Sequence, residues 1–131
     1  MIIKTGGIRI AEGYLRGNPD WDVISIRSFE GRVATLAEGW GNKTFVVLND
    51  VGVSNDPAEI NRIAVALQRA FNEGKNVFIH CEMGVSRSVG VAYAAAEHFN
   101  EPYQHAHHGN STVKSQVRDA LRALEAQHAT P

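Results

Sequence analysis

Apolar positions along the chain fall into short runs and helical stripes separated by polar breaks. Residues 8–17 alternate apolar and polar on either side of Glu12-Gly13, which predicts two short strands around a turn before Asn18-Pro19-Asp20 breaks the chain. Residues 21–27 alternate weakly around Val23, Ile24 and Ile26, consistent with a buried strand. Over residues 28–39, Val33, Leu36 and Ala37 recur at helical spacing and end at a glycine suited to a C-cap, which predicts a helix. Thr44-Phe45-Val46-Val47-Leu48 is continuous and largely β-branched, typical of a strand covered on both faces. Asp56-Pro57-Ala58-Glu59 then combines an N-cap, a proline at N1 and the acid of a capping box. Ile60, Ile63, Ala64, Leu67 and Phe71 share one face of the helix that follows, and Glu73-Gly74-Lys75-Asn76 stops it. Residues 77–80 are a second apolar run. Residues 87–100 form a helix with Val89, Ala92, Tyr93, Ala96 and Phe99 inward, ended by Glu101-Pro102, and residues 111–128 form a last one on Val113, Val117, Leu121 and Leu124.

Two strand–helix–strand passages, residues 23–48 and 44–80, predict an α/β fold of three layers with a mainly parallel central sheet. Ligands of such sheets bind beyond the carboxyl ends of the strands, where Cys81 and Asp50 both fall. A length of 131 residues suits one domain spanning 1–131 with a substantial core. Thirteen basic and fourteen acidic side chains give a net charge of −1, so no global field draws the chain to nucleic acid or membrane. Its single cysteine cannot form an internal disulfide and fits a reducing compartment. Residues 1–7 lack an apolar core of signal-peptide length, and no run spans a membrane, so the expected location is cytoplasmic.

The chemistry concentrates in His80-Cys81-Glu82-Met83-Gly84-Val85-Ser86-Arg87-Ser88. A short apolar strand delivers the cysteine, a glycine-containing loop follows, and Arg87 opens a helix. Free N–H groups and partial positive charge at a helix N-terminus bind anions and ease deprotonation of a thiol. The string resembles the signature of the cysteine-based protein tyrosine phosphatases, His-Cys, five residues, Arg, then Ser or Thr, and its spelling is most similar to the compact dual-specificity branch. That resemblance implies a sheet of about five strands flanked by helices on both faces, with an edge hairpin from the N-terminal segment. It also implies a phosphoprotein phosphatase that hydrolyses phosphotyrosine, with phosphoserine/threonine left open, through a cysteinyl-phosphate intermediate. The expected partner is a phosphorylated protein or peptide, with no nucleic acid, membrane, metal or cofactor, and the expected state is a monomer.

In this reading Cys81 is the nucleophile and Arg87 grips two phosphoryl oxygens with its planar fork. The N–H groups of Glu82, Met83, Gly84, Val85, Ser86 and Arg87 bind the remaining oxygens. Gly84 allows a backbone approach that a Cβ forbids. The resemblance makes Ser88 the hydroxyl that stabilises the leaving thiolate, places His80 behind the loop with its ring on backbone, and matches Asn110 to a loop-buttressing asparagine. Two aspartates compete as general acid. Asp50 lies 31 positions before Cys81, at a separation similar to the family's acid loop, whereas Asp56 is accounted for as an N-cap, and Asp50 is preferred. Glu82 and Met83 border the pocket mouth, and an acid at Glu82 disfavours highly anionic phosphoinositides. His105, His107 and His108 fit no standard zinc spacing and read as a solvated loop. Trp21, Trp40 and Tyr103 read as core or edge aromatics. Competing functions are a non-catalytic phosphate-binding module and a phosphatase of RNA 5′ ends, nucleotides or phosphoinositides. A rhodanese-like sulfurtransferase would leave Arg87, Ser88 and Asp50 without purpose.

Overall fold

The computed structural model describes residues 1–36, 41–49 and 55–129. Its elements run β1 (Ile3–Gly6), α1 (Ile8–Arg16), β2 (Asp22–Arg27), β3 (Lys43–Val47), α2 (Pro57–Asn72), β4 (Val77–His80), α3 (Arg87–Phe99) and α4 (Ser111–Ala129). Among the described residues there are four strands, against the expected five or so, in the order β1-β4-β2-β3, and every pairing is parallel. β4 is central and buried along its whole length, as its unbroken apolar run requires. Its partners bring Gly6 and Ser25 into register with His80, so the sheet's carboxyl edge converges beside Cys81.

Side chains alternate between the two faces of the sheet. Ile24, Ile26, Val77 and Ile79 join α2, α3 and α4 in one core, while Val23 and Phe78 meet Ala11 and Leu15 of α1 with Trp21 in the other. This is the three-layer α/β arrangement read from the sequence. α2 begins at the expected N-cap, the Ala58 N–H donating to Asp56 Oδ1 at 2.9 Å, while Glu59 Oε2 pairs with Arg62 at 3.2 Å in place of the reciprocal capping-box bond. Val89, Val91, Ala92, Ala94, Ala95 and Ala96 are all buried, so α3 is enclosed on more than one side, between the sheet and α4. Among the described residues no helix is long and apolar enough to cross a membrane.

Two expectations are corrected. Residues 8–17 form no hairpin. Ile8–Arg16 is a helix in which Ala11 and Leu15, four apart, are buried while Ile10 is exposed, so the apparent period-two pattern was the polar and apolar sides of α1. The N-terminal segment accordingly supplies a parallel edge strand, β1, and no hairpin. Residues 28–36 form no helix either, although residues 37–39 of that expectation lie outside the described residues. Val33, the start of the proposed apolar stripe, is exposed, and Arg27 Nη1 instead donates to the carbonyls of Ser28, Phe29 and Gly31. A side chain that collects the carbonyls of its own chain in this way competes with helical hydrogen bonding. Trp21 is buried and Tyr103 half-buried, its hydroxyl 2.6 Å from Thr5 Oγ1, whereas Trp40 lies outside the described residues.

Candidate active site

β4 ends at His80, and the chain turns through residues 81–86 into the N-terminus of α3. That turn needs Gly84, whose φ is +76° and whose position leaves no room for a Cβ against the backbone of Gly6 and Gly7. The loop is therefore seated on the β1–α1 junction, where the Ile8 N–H also donates to the Glu82 carbonyl at 3.4 Å. His80 braces it from behind. Its Nδ1 lies 3.3 Å from the Cys81 carbonyl, which can only accept, so Nδ1 carries the proton and Nε2 accepts from the Ser25 hydroxyl at 2.6 Å. Burial pushes the imidazole below its usual range, which keeps the ring neutral in that pairing.

Cys81 lies at the floor, 2% exposed. Its sulfur is 3.2 Å from Ser88 Oγ and accepts from the Gly84 N–H at 3.2 Å. Burial pushes the thiol up, but the Ser88 hydroxyl and the N–H groups of Ser88, Gly84 and Ser86 outweigh it, and the net effect holds the thiol below its ordinary value. α3 directs its positive end at the same sulfur.

Arg87 is 4% exposed. Nη1 donates to the Leu48 carbonyl at 2.8 Å and to Ser28 Oγ at 2.9 Å, while Nη2 lies 3.9 Å from Glu82 Oε1. Nε is buried and has no hydrogen-bond partner among the described residues. One edge of the guanidinium is thus pinned to protein, and the Nε edge retains a donor suited to an oxyanion. The sequence reading missed Ser28 and Gly31. The Ser28 N–H donates to Glu82 Oε1 at 3.1 Å, and a Cβ at Gly31 would overlap that carboxylate. The signal was positional: both residues follow β2 at the carboxyl edge of the sheet, where sites form.

Asn110 sits before α4, its N–H donating to the Ser86 carbonyl at 3.0 Å and its Oδ1 accepting from Val113 N at 3.0 Å. Met83 is exposed beside Glu82. Asp50 lies outside the described residues, and Asp56 caps α2. The His107 N–H donates to His105 Nδ1 at 3.1 Å, and among the described residues no three His, Cys, Asp or Glu side chains converge as metal ligands would.

No protein-family model and no curated protein matches the sequence. Solved structures do match. Human DUSP28 superposes with a TM-score of 0.68 at 19% identity, covering 95% of this chain and 94% of its own. The human tyrosine phosphatase-like serine/threonine/tyrosine-interacting protein gives 0.65 at 19%, covering 96% and 92%. PTPMT1 gives 0.61 at 16%, covering 99% and 96%. The chain has the fold of the cysteine-based protein tyrosine phosphatases, in its dual-specificity form. In this chain the loop after the central strand carries the Cys81 and Arg87 geometry described above.

Proposed function

We propose that this chain is a cysteine-dependent phosphomonoesterase acting on phosphotyrosine in proteins or peptides, with phosphoserine and phosphothreonine left open. The observation that carries the reading is the pairing of a low-pKa thiol at a helix N-terminus with a buried guanidinium that has one edge pinned and a donor left over on the other. The Cys81 thiolate attacks phosphorus in line, forming a P–S bond as the P–O bond to the leaving group breaks. Asp50, protonated, gives its proton to the departing oxygen. Water then attacks the cysteinyl phosphate, Asp50 takes the water's proton, and the P–S bond breaks to a thiolate that Ser88 receives. Arg87 and the loop amides from Glu82 to Arg87 bind the equatorial oxygens throughout.

Turnover of p-nitrophenyl phosphate tests this directly. Cys81→Ser is expected to abolish turnover while retaining tungstate binding, and Asp50→Ala to lower the rate by about 10²- to 10⁴-fold. Full activity in Asp50→Ala beside a dead Asp56→Ala would move the acid to Asp56. Tungstate binding with no turnover of any phosphomonoester would make the chain a phosphate-recognition module. One of the matched structures is named as phosphatase-like, so likeness of fold does not separate these two readings. PTPMT1 has been solved in complex with PI(5)P, and cleavage of phosphoinositides in preference to peptides would redirect the substrate class.

A further inference from the structure

Away from Cys81, a second concave site collects cations that nothing in the fold pairs. A groove of about 320 Å³ between β3 and α2 is lined by Lys43, Thr44, Asn61, Arg62, Val65 and Arg69. That volume falls at the lower end of small-molecule sites. Three of its side chains are cations, and no carboxylate lines it. Lys43 opens β3, the outer strand, and stands level with Val23 and through it with Phe78, whereas Cys81 follows the carboxyl end of β4. The groove therefore sits two strands away from the Cys81 loop and toward the other end of the sheet.

Arg69 decides what the groove holds. The residue is half-buried and its Nε is buried without a partner. Among the described residues its guanidinium makes no hydrogen bond, ion pair or ring contact, and the half-buried Lys43 ammonium makes none either. A charged donor withdrawn from water without an acceptor is costly, and two on one cavity also repel each other. Acids on the surrounding elements are committed elsewhere. Glu59 pairs with Arg62 at 3.2 Å, Glu73 accepts from the Asn42 side chain at 3.4 Å, and the buried Asp22 accepts from the Asn42 N–H at 2.9 Å. Lys43 and Arg69 thus offer donors into one cavity with no acceptor there. A guanidinium presents a planar fork suited to phosphoryl oxygens, and an ammonium adds a point charge. The Thr44 hydroxyl and the Asn61 amide supply further neutral donors on the same walls. Donors arriving from both a strand and a helix suit a tetrahedral anion better than a flat carboxylate.

We propose that this groove binds a tetrahedral oxyanion, inorganic phosphate or the phosphoryl group of a compact molecule, through Lys43 and Arg69 with Thr44 and Asn61. It is separate from the site at Cys81, and the inference does not rest on the phosphatase reading.

Amide NMR spectra of the intact protein test it through titrations with inorganic phosphate, butylphosphonate, acetate and, at matched ionic strength, sodium chloride. Shifts are read residue by residue, so binding at β3 and α2 is distinguished from binding at the loop of residues 81–86. Phosphate is expected to shift the amides of residues 43–45 and 61–69 saturably and to bind there more tightly than acetate. Lys43→Met and Arg69→Met, which keep the stems and remove the charges, should each weaken that binding by roughly tenfold and leave the shifts at 81–88 unchanged. Arg9→Met, on α1 across the sheet, should alter neither set. Tighter binding of butylphosphonate marks the ligand as an organic phosphate in contact with Val65, and weaker binding marks it as the free ion; either supports the site. Equal affinity for acetate, equal shifts with chloride, or phosphate binding at β3 and α2 that survives both substitutions overturns the proposal. Shifts confined to 81–88 overturn it while leaving the phosphatase reading standing. In buffer free of oxyanions Arg69→Met should unfold at the same urea concentration as the unaltered chain or a higher one, since no partner is lost. A lower midpoint would make the guanidinium a support of the fold and overturn the proposal as well.

Discussion

At Cys81 two opposed effects act on one sulfur. Burial raises the thiol pKa, hydrogen bonds from Ser88, Gly84 and Ser86 lower it, and the hydrogen bonds win. The folded chain therefore favours the thiolate. Stability linked to this group is present above the unfolded thiol value and is lost as pH falls through the depressed folded one. Iodoacetamide should alkylate Cys81 with a pH midpoint below that of a free thiol. Ser88→Ala should raise that midpoint and slow alkylation at neutral pH by about three- to tenfold, and an unmoved midpoint would assign the effect to the backbone amides alone. His80 titrates with a consequence of the same sign, in a more acidic window. Because burial lowers its pKa, the unfolded chain binds the proton first, so stability falls as pH drops below the ordinary histidine value near 6.5. The urea midpoint should decrease between about pH 7 and pH 5, and His80→Gln should flatten that slope. An equally steep slope in His80→Gln would show that the acid sensitivity resides elsewhere.

Among the elements, the segment after β2 behaves as a strap across the loop of residues 81–86. Glu82 accepts from the Ser28 N–H, Arg87 donates to Ser28 Oγ, and the far end is tied to α1 where Arg32 pairs with both oxygens of Glu12. The Arg32 guanidinium, against a smaller opposing effect of burial, holds the Glu12 carboxyl down at about 2, so this tie persists well into acid. The glycine at 31 matters because its missing Cβ leaves room for the Glu82 carboxylate. Glu82→Ala and Gly31→Ala should each release the strap, seen as amide exchange at Ser28 faster by about tenfold or more and weaker tungstate binding. The double variant should be no worse than Glu82→Ala alone. Additive losses would instead implicate Ser28 backbone, which a Cβ at Gly31 also approaches at 3.1 Å. This strap was not legible in the sequence, whereas α2 and the β4–loop–α3 passage were. α2 carries its own start signal in Asp56-Pro57 and β4 its own unbroken apolar run, so local pattern sufficed. Residues 28–36 owe their path to partners 54 and 59 positions away, Glu82 and Arg87, which no local period reports. α1 failed for another reason: a helix buried only through Ala11 and Leu15 shows too narrow a stripe to outvote a chance alternation.

Across the whole molecule, the loop of residues 81–86 is supported from the far end of the chain as well as from the sheet. The Ser86 carbonyl, the last before α3, accepts from the Gly90 N–H at 2.9 Å and from the Asn110 N–H at 3.0 Å, so one oxygen joins the loop, α3 and the lead into α4. That convergence depends on two glycines in backbone contact. A Cβ on Gly90 would stand 2.6 Å from the Asn110 carbonyl oxygen, and one on Gly109, where φ is +77°, would stand 2.5 Å from Gly90 N. Backbone cannot yield by changing rotamer, so the strain must move the α3–α4 connection or the loop itself. Gly90→Ala should therefore cost about 1–3 kcal/mol in urea denaturation and weaken tungstate binding in the same variant. Gly74→Ala supplies the contrast. Its φ of +67° also penalises a side chain, but nothing lies within 4 Å of the new Cβ, and it stands at the opposite edge of the sheet before β4. That variant should lose about 1 kcal/mol of stability from backbone strain with oxyanion affinity intact. If Gly90→Ala lost stability while binding tungstate normally, the Ser86 junction would be a packing feature of the helices and not a support of the site.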